Sequence, residues 1–411
     1  MNVDVPFLDS RSWEEGAMRE RMRWLRDHSP VHWSEPDGLW VVSRFADVVH
    51  VSKHQELFTS GQGVRPGNPV KIGLIDEEEP RHGRLRGLLN KGFTPRMVKR
   101  LEEVFTRITA DAIDAVVADG ECDFVEAISV PLPLRLIAAM IGIRDEDYDH
   151  FHEWSDAMIA AEGNFADPEI MARAGQAFLE YAAYVTEVIE DRRRDPQDDL
   201  VSILVGAKDQ GLLETYDEGA FTQAFGDAAE APALQNDELI KLLVILMVAG
   251  NETTRNGLSG GIQLLIEHPE ARQRLIDDPS LIPAAVEEML RLVSPVRNFG
   301  RTAVQNTELR GEKIEAGQQV LVLYPSANRD EREFPDPDRF IVDRNPHHVA
   351  FGIGSHFCMG ANLARMEMRV AIREVLRRMP NLEYAADGPV LQNSALVRTC
   401  SEMRVRFTPG G

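Results

Sequence analysis

The fold is decided by residues 351–360, which read Phe-Gly-Ile-Gly-Ser-His-Phe-Cys-Met-Gly and run directly into the helix-favouring residues 361–367. Cys358 is therefore predicted to lie where a glycine-rich loop meets the N-terminus of a helix. Helix N-termini expose free N–H groups and a partial positive charge, which stabilise a thiolate and lower the pKa of the thiol. Most free cysteines are nevertheless small, buried apolar residues, so the position alone leaves both interpretations open.

Length and composition predict a globular protein with a large core. The chain has 411 residues, of which 43% are hydrophobic and 27% are charged. The length would allow two or three domains, but no linker rich in Pro, Gly or Ser divides the chain, and we expect a single domain over residues 1–411. The net charge of -22 disfavours nucleic-acid binding, which needs clustered Lys and Arg to displace counterions.

The sequence shows neither an export signal nor a membrane anchor, and a cytoplasmic protein is expected. No basic segment followed by an apolar stretch opens the chain. The longest apolar run, residues 242–250, has nine residues, against the roughly 20 needed to cross a bilayer. The three cysteines, Cys122, Cys358 and Cys400, form no close pairs, which argues against disulfides and suits a reducing compartment.

Apolar periodicity predicts a mainly α fold with small β-sheets, that is, an α+β protein. Apolar residues recur at three- and four-residue steps over much of residues 80–292, as in amphipathic helices. Short alternating or β-branched runs near the two ends of the chain predict strands, at residues 38–42, 319–323 and 403–407. Residues 207–235 have weak periodicity and are interpreted as a long connector.

The residues around Cys358 resemble the cysteine loop of the cytochrome P-450 superfamily. That loop has an aromatic residue seven positions before the cysteine, a glycine four before, a basic residue two before and a glycine two after. Phe351, Gly354, His356 and Gly360 stand at these positions. The resemblance implies a single large helical domain of the cytochrome P-450 fold, with Cys358 as the axial ligand of a haem b iron.

A second motif agrees with this resemblance. Glu288 and Arg291 lie three residues apart on a predicted helix, where they can pair, although such pairs are commonly exposed and of small energetic value. In the family the corresponding Glu and Arg form a buried network with a second Arg from a proline-rich loop. Residues 334–340 resemble that loop, and Arg339 is expected to be the second Arg.

The resemblance also implies which residues hold the haem. Haem propionates need cationic or hydrogen-bonding partners, with Arg preferred for bidentate contact. The alternative for each basic residue is ordinary surface charge; for His82 and Arg86, four apart on one helical face, haem contact is favoured. The implied cofactor-binding residues are His82, Arg86, Arg301, His356, Phe351, Gly250 and Ala249.

Residues 242–255 predict a buried, nearly apolar helix with a polar cluster at its centre. Glycine in a helix costs about 1 kcal/mol relative to alanine, and space for dioxygen would give Gly250 a purpose. The Thr253 hydroxyl could turn from its own helix towards oxygen, with a local helix distortion. Glu252 is interpreted either as a proton relay or as a structural ion pair with Arg255. The resemblance implies that Thr253 and Glu252 form a catalytic alcohol–acid pair.

The reaction implied by the resemblance is insertion of one oxygen atom of O2 into a hydrophobic substrate. The family's substrate cavity corresponds to four segments here, namely residues 61–73, 248–249, 296–299 and 394–397. Residues 63–69, 75–82 and 90–96 resemble bacterial members that hydroxylate steroid side chains, so a steroid is favoured over a terpenoid or a fatty acid.

Electrons are expected from separate proteins, because the chain has no flavin fingerprint and no iron–sulfur cysteine cluster. A ferredoxin and a ferredoxin reductase would pass them from NAD(P)H to a monomeric enzyme. Residues 81–100 contain seven Lys or Arg and no Asp or Glu. The resemblance implies that this segment and the helix with Arg365 and Arg369 border the cysteine face, where they would steer an acidic ferredoxin.

Two other kinds of function remain open at this stage. One is a haem-thiolate enzyme that does not hydroxylate, such as a peroxygenase or an oxidative-coupling enzyme. The pair of Glu252 and Thr253 weighs against a peroxygenase, which needs no proton relay for dioxygen. The other is a non-catalytic haem-binding sensor, which would need Cys358 but not Thr253.

Overall fold

A computed structural model describes residues 3–67, 71, 73–91, 95–161, 167–197, 199–209 and 237–409. Helices dominate these residues and the sheets are small, as the periodicity predicts. The connector expected at residues 207–235 lies almost entirely outside the described residues.

The α-helices of the described residues are α1 (Glu15–His28), α2 (Phe45–Lys53), α3 (Arg81–Lys91), α4 (Pro95–Val117), α5 (Pro131–Ile141), α6 (Tyr148–Ala160), α7 (Pro168–Arg194), α8 (Leu200–Asp209), α9 (Asp237–Glu267), α10 (Pro269–Asp277), α11 (Ile282–Val293), α12 (Tyr324–Ala327) and α13 (Ala361–Arg378). Short 3-10 or π turns lie at Ser10–Ser12, Leu74–Asp76, Val125–Ser129, Asp145–Asp147 and Pro279–Leu281. The helices α3 to α11 fall in or at the edge of the region whose apolar spacing predicts helix.

The strands are β1 (Val31–Ser34), β2 (Leu39–Val42), β3 (Phe58–Thr59), β4 (Glu121–Asp123), β5 (Asn298–Ala303), β6 (Thr307–Leu309), β7 (Glu312–Ile314), β8 (Gln319–Leu323), β9 (Glu383–Tyr384), β10 (Val390–Gln392), β11 (Thr399–Glu402) and β12 (Arg404–Arg406). Three of them, β2, β8 and β12, confirm the strands predicted from the sequence. In the described part of the chain the largest sheet has five strands in the order β1-β2-β8-β5-β3.

The described chain divides into two compact units. The first comprises Met1–Lys71, Glu102–Pro133 and Glu252–Gly411, and it contains the five-stranded sheet. Alternate residues of β8 enter two different core clusters, Val320 and Val322 in one and Leu321 and Leu323 in the other. Because side chains alternate across a strand, both faces of this sheet are covered by apolar residues.

The second unit comprises Ile72–Leu101 and Leu134–Asn251 and is helical. The long helix α7 carries Tyr181, which is fully buried and donates its hydroxyl to the Leu243 carbonyl of α9 at 3.3 Å. The predicted single domain over residues 1–411 stays a prediction.

Candidate functional site

Cys358 lies three residues before the first residue of α13, at the loop–helix junction that the sequence predicts. Its backbone N–H donates to the Phe351 carbonyl at 2.9 Å, and its own carbonyl accepts from Ala361 N at 3.4 Å. The Cys358 side chain is exposed. Residues 351–360, here called the cysteine loop, therefore close on themselves and present a cysteine at the beginning of a helix.

The glycines of the cysteine loop are required by its path. Gly352 and Gly354 have φ values of +67° and +85°, in the left-handed region that favours glycine. A Cβ atom on Gly354 would lie 2.6 Å from the Ser52 carbonyl oxygen near the end of α2. The Gln55 side-chain amide donates a hydrogen bond to Ser355. The loop is thus held against the end of α2, which restricts the orientation of Cys358.

Arg301 is a buried cation in the same unit. It lies on β5, is 4% exposed, and donates to the Gly300 carbonyl at 2.7 Å. Among the described residues no carboxylate lies at ion-pair distance from its guanidinium. Burial raises the pKa of neighbouring Tyr324, and the Arg301 charge opposes that rise. A buried charge without a counter-charge is costly, so an anionic group of a cofactor, such as a haem propionate, fits this position.

Glu252 and Thr253 lie next to each other on α9, with Glu252 only 5% exposed. The Glu252 carboxylate forms an ion pair with Arg255 and accepts from Asn256 Nδ2 at 2.7 Å and Thr399 Oγ1 at 3.2 Å. The ion pair is one of the two interpretations that the sequence leaves open. The helix is continuous through Thr253, without the distortion expected there.

Four further predicted haem contacts, at residues 82, 86, 249 and 250, belong to the second unit. His82 and Arg86 share α3; His82 is 2% exposed, with Nδ1 3.0 Å from Glu79 Oε1. On α9, Ala249 is exposed and Gly250 is partly buried. A Cβ atom on Gly250 would lie 2.8 Å from Ile137 Cδ1, so close helix packing is itself a reason for glycine here. The role of these residues in binding haem stays a prediction.

The buried network of Glu288 and Arg291 is present, but its second arginine was wrongly assigned. Glu288 and Arg291 pair at 2.7 Å with both side chains 0% exposed. Arg344 Nε donates to Glu288 Oε1 at 3.0 Å, whereas the Arg339 side chain is 74% exposed and pairs with Asp336. The backbone after Pro337 turns the Arg339 side chain towards solvent. Only the Arg339 carbonyl takes part in the network, and it accepts a hydrogen bond from Arg291 Nη2 at 3.4 Å.

Sequence reasoning missed Glu287 and His348, which line a groove beside the cysteine loop. The groove has a volume of about 790 Å³ and is also lined by Phe357, Arg365 and Arg369. The available signal was the pair of consecutive glutamates at 287 and 288 on one helix. Adjacent helical positions point about 100° apart, so both carboxylates cannot serve the same partner.

Among the described residues, no helix has the length and apolar character required to cross a membrane.

Comparison with known proteins identifies the family. The family model for cytochrome P450 matches residues 152–381. A steroid C26-monooxygenase from Mycolicibacterium smegmatis is 36% identical over 408 residues, covering 99% of this chain and 96% of the relative. A methyl-branched lipid omega-hydroxylase from Mycobacterium tuberculosis is 36% identical over 387 residues, covering 90% of this chain and 85% of the relative.

A solved structure supports the same conclusion. The crystal structure of CYP109E1 from Bacillus megaterium in complex with testosterone is 31% identical, with a TM-score of 0.80, and the match covers 94% of this chain and 98% of that one. Sequence, fold and relatives agree: the chain belongs to the cytochrome P450 family and is a monooxygenase.

Proposed function

We propose that this monooxygenase binds haem b through Cys358 and oxidises the end of a branched alkyl chain on a steroid. Electrons would come from NAD(P)H through a ferredoxin reductase and a ferredoxin. The observation that carries the proposal is the exposed side chain of Cys358, held at the start of α13 by the bond from its N–H to Phe351.

The residues of the first unit fit a haem. Haem bound through a cysteine thiolate supplies the reductive activation of dioxygen. Cys358 would provide the thiolate, Arg301 a buried cation for a propionate, and His356 a second propionate contact from within the cysteine loop. The Phe351 side chain would pack beside the haem ring. We propose further haem contacts at His82, Arg86, Ala249 and Gly250.

Thr253 and Glu252 are proposed to manage protons. The Thr253 hydroxyl would donate a proton towards the oxygen site, and the Glu252 carboxyl would replace that proton from solvent. Because Glu252 is ion-paired with Arg255 in this structure, the relay requires the Arg255 side chain to turn away from the carboxylate. Arg255 would therefore control when protons from solvent reach Glu252.

The names of the relatives narrow the substrate class. Carbon 26 is a terminal carbon of the branched side chain of a sterol, and the omega carbon is the last carbon of a lipid chain. Both relatives therefore oxidise the end of an alkyl chain, although one substrate is a steroid and the other a methyl-branched lipid. We favour a steroid with an intact side chain, because several relatives are named for steroid C26 oxidation.

The test is turnover with three substrates under NAD(P)H and a surrogate ferredoxin system, with products identified by mass spectrometry. Cholest-4-en-3-one should be hydroxylated at the end of its side chain. Testosterone has the same ring system without that side chain, so it is the matched control and should give no terminal product. Equal turnover of testosterone would contradict the proposal, and exclusive turnover of a methyl-branched fatty acid would replace the steroid by a lipid. Product formed with hydrogen peroxide alone would indicate a peroxygenase.

The ferredoxin is proposed to dock at the groove beside the cysteine loop. The groove is lined by Lys53 and Arg369, and by Phe357, which is 37% exposed. Among the described residues, neither Lys53 nor Arg369 has a carboxylate at ion-pair distance. These two charges are local exceptions in a protein of net charge -22, and they would attract an acidic partner.

A further inference from the structure

Glu287 is the centre of an ionic cluster next to the cysteine loop. Its carboxylate accepts two bonds from Arg365, from Nε at 2.7 Å and from Nη2 at 2.8 Å. His348 Nε2 lies 3.3 Å from Glu287 Oε2. Glu287 belongs to α11, Arg365 to α13, and His348 to the segment before the cysteine loop. The Glu287 cluster, which comprises Glu287, Arg365 and His348, therefore joins three parts of the first unit.

The backbone orients the His348 ring. The Ala350 N–H donates to His348 Nδ1 at 3.1 Å, and Nε2 on the other side of the ring faces the Glu287 carboxylate. The side chain is only 2% exposed. The ring is fixed by the backbone that leads into the cysteine loop.

The Glu287 cluster contacts the cysteine loop through Phe351. The Arg365 guanidinium lies 4.6 Å from the centroid of the Phe351 ring, in cation–π geometry. The His348 ring is 5.8 Å from the same ring. The carbonyl of Phe351 is the group that accepts the Cys358 N–H at 2.9 Å. Three contacts thus lead from Glu287 to the backbone of the cysteine.

The Glu287 carboxyl stays ionised at neutral pH. Burial alone would raise its pKa, but the hydrogen bonds and charges of His348 and Arg365 outweigh burial and lower the pKa to about 2. The Glu287 carboxylate and the Arg365 guanidinium carry opposite charges at hydrogen-bond distance, so this pair adds little net potential at the cysteine loop.

We propose that Glu287 and Arg365 are positioning residues, which hold Phe351 so that Cys358 keeps the orientation in which its sulfur donates electrons to a haem iron. They touch neither substrate nor the reacting atoms. This inference rests on the proposed role of Cys358 as the haem ligand. It also distinguishes Arg365 from Arg369, which both line the groove. Arg365 pairs with Glu287, whereas Arg369, one turn further along α13, has no carboxylate at ion-pair distance among the described residues.

The experiment compares Glu287→Gln, Arg365→Gln and the double variant in the haem-loaded enzyme. Two readouts are the reduction potential and the rate at which the reduced, carbon monoxide-bound protein loses its thiolate-type absorption band. If the residues position the loop, each single variant should lose the band severalfold faster than the parent. The double variant should be no worse than either single one, because both changes break the same unit.

A purely electrostatic cluster predicts the opposite pattern. Removing the carboxylate would raise the reduction potential, removing the guanidinium would lower it, and the double variant would return to the parent value. That result would overturn the proposal. The matched control is Arg377→Gln, which removes the same charge from the same helix, where Arg377 pairs with Glu374 and does not line the groove, and it should leave both readouts at their parent values. An equal defect in Arg377→Gln would likewise overturn the proposal.

Two further variants keep the test decisive. If Arg365→Gln does not yield folded protein, Arg365→Lys keeps the charge but lacks the paired N–H groups, and it should lose the band at an intermediate rate. Retention of the thiolate-type band by Cys358→Ser would refute the ligand itself. Loss of that band in Cys358→Ser, together with parent behaviour in both Glu287 and Arg365 variants, would refute only the positioning role.

Discussion

Two consecutive glutamates on α11 serve two different regions of the first unit. Glu288 is 0% exposed and binds Arg291 and Arg344, and Arg291 also donates to the carbonyls of Asn328 and Pro337 at 2.7 Å each. Glu287 is 14% exposed and binds Arg365 and His348 beside the cysteine loop. Every side-chain nitrogen and oxygen of Glu288, Arg291 and Arg344, here called the sealed region, is hydrogen-bonded, which supports the fold. The region around Glu287 is partly open and borders the exposed cysteine and a groove. We infer that the Glu288 region maintains structure and propose that the Glu287 region influences the chemistry at Cys358.

The sharpest test of this separation is Cys358→Ser, which should abolish the thiolate-type spectrum and turnover. A hydroxyl cannot match the electron donation of a thiolate. The free energy of unfolding of the haem-free protein should stay within about 0.5 kcal/mol of the parent, as for surface changes. The measurements are the reduced carbon monoxide spectrum and urea unfolding.

Cys122→Ser and Cys400→Ser are the controls for that test. Burial raises the pKa of the Cys122 thiol to about 12 and that of Cys400 to about 11, so both stay protonated and are poor ligands. Either variant should keep the spectrum, and loss of the spectrum in one of them would reassign the ligand.

Glu288→Gln should lower the free energy of unfolding strongly, unlike Cys358→Ser. The change leaves Arg291 buried without its counter-charge, and breaking such a pair costs about 3–5 kcal/mol. Urea unfolding followed by circular dichroism measures it. Glu383→Gln, which breaks an exposed pair between β9 and Arg406 of β12, should cost less than about 1 kcal/mol. Equal midpoints for the two variants would show that the sealed region is not a structural support.

Thr253→Ala should affect chemistry without affecting the fold, if the hydroxyl delivers protons as proposed. Haem and substrate should still bind, but more hydrogen peroxide should form per NAD(P)H consumed. Ser259→Ala is the control, because the Ser259 hydroxyl on the same helix is already bonded to the Arg255 carbonyl at 2.8 Å. An unchanged peroxide ratio in Thr253→Ala would make Thr253 a packing residue.

Glu287→Gln should cost about 1.5–3 kcal/mol of stability at neutral pH, the range for hydrogen bonds to charged groups. The folded pKa is about 2, below the ordinary value of 4.5. Its contribution is therefore complete above pH 4.5 and is lost as the pH falls towards 2. Urea unfolding at several pH values should show parent and variant converging in acid. A gap that is constant down to pH 2 would refute the lowered pKa.

The smallest effect is expected for Arg369→Glu, which changes only the approach of a partner. Ferredoxin-driven reduction should slow at low salt and recover as ionic strength nears about 0.5 M, while dithionite reduces parent and variant alike. Arg377→Glu, on the same helix but not among the residues lining the groove, should behave as the parent. If Lys99→Glu slows reduction and Arg369→Glu does not, docking involves the basic segment of residues 81–100 instead.

Features encoded within one helical turn or one loop were predictable from the sequence. The position of Cys358 before a helix, the pairing of Glu288 with Arg291, and the strands β2, β8 and β12 all follow from local spacing. Backbone geometry sets these relations within a few residues, because a helix brings positions three or four apart together and a glycine permits a left-handed turn. The family resemblance depends on the same local motifs and was predictable for the same reason.

The tertiary structure alone decided which distant partner each of these groups meets. Arg339 and Arg344 carry the same charge at similar separations from Glu288, and only the path of the intervening backbone places Arg344 on the carboxylate. Likewise, Glu252 could have faced solvent or Arg255, and packing placed it with Arg255. Sequence determines the chemical groups and their local geometry, but burial and packing of the whole chain select among equivalent charges. That selection is a long-range outcome, which no short stretch of sequence contains.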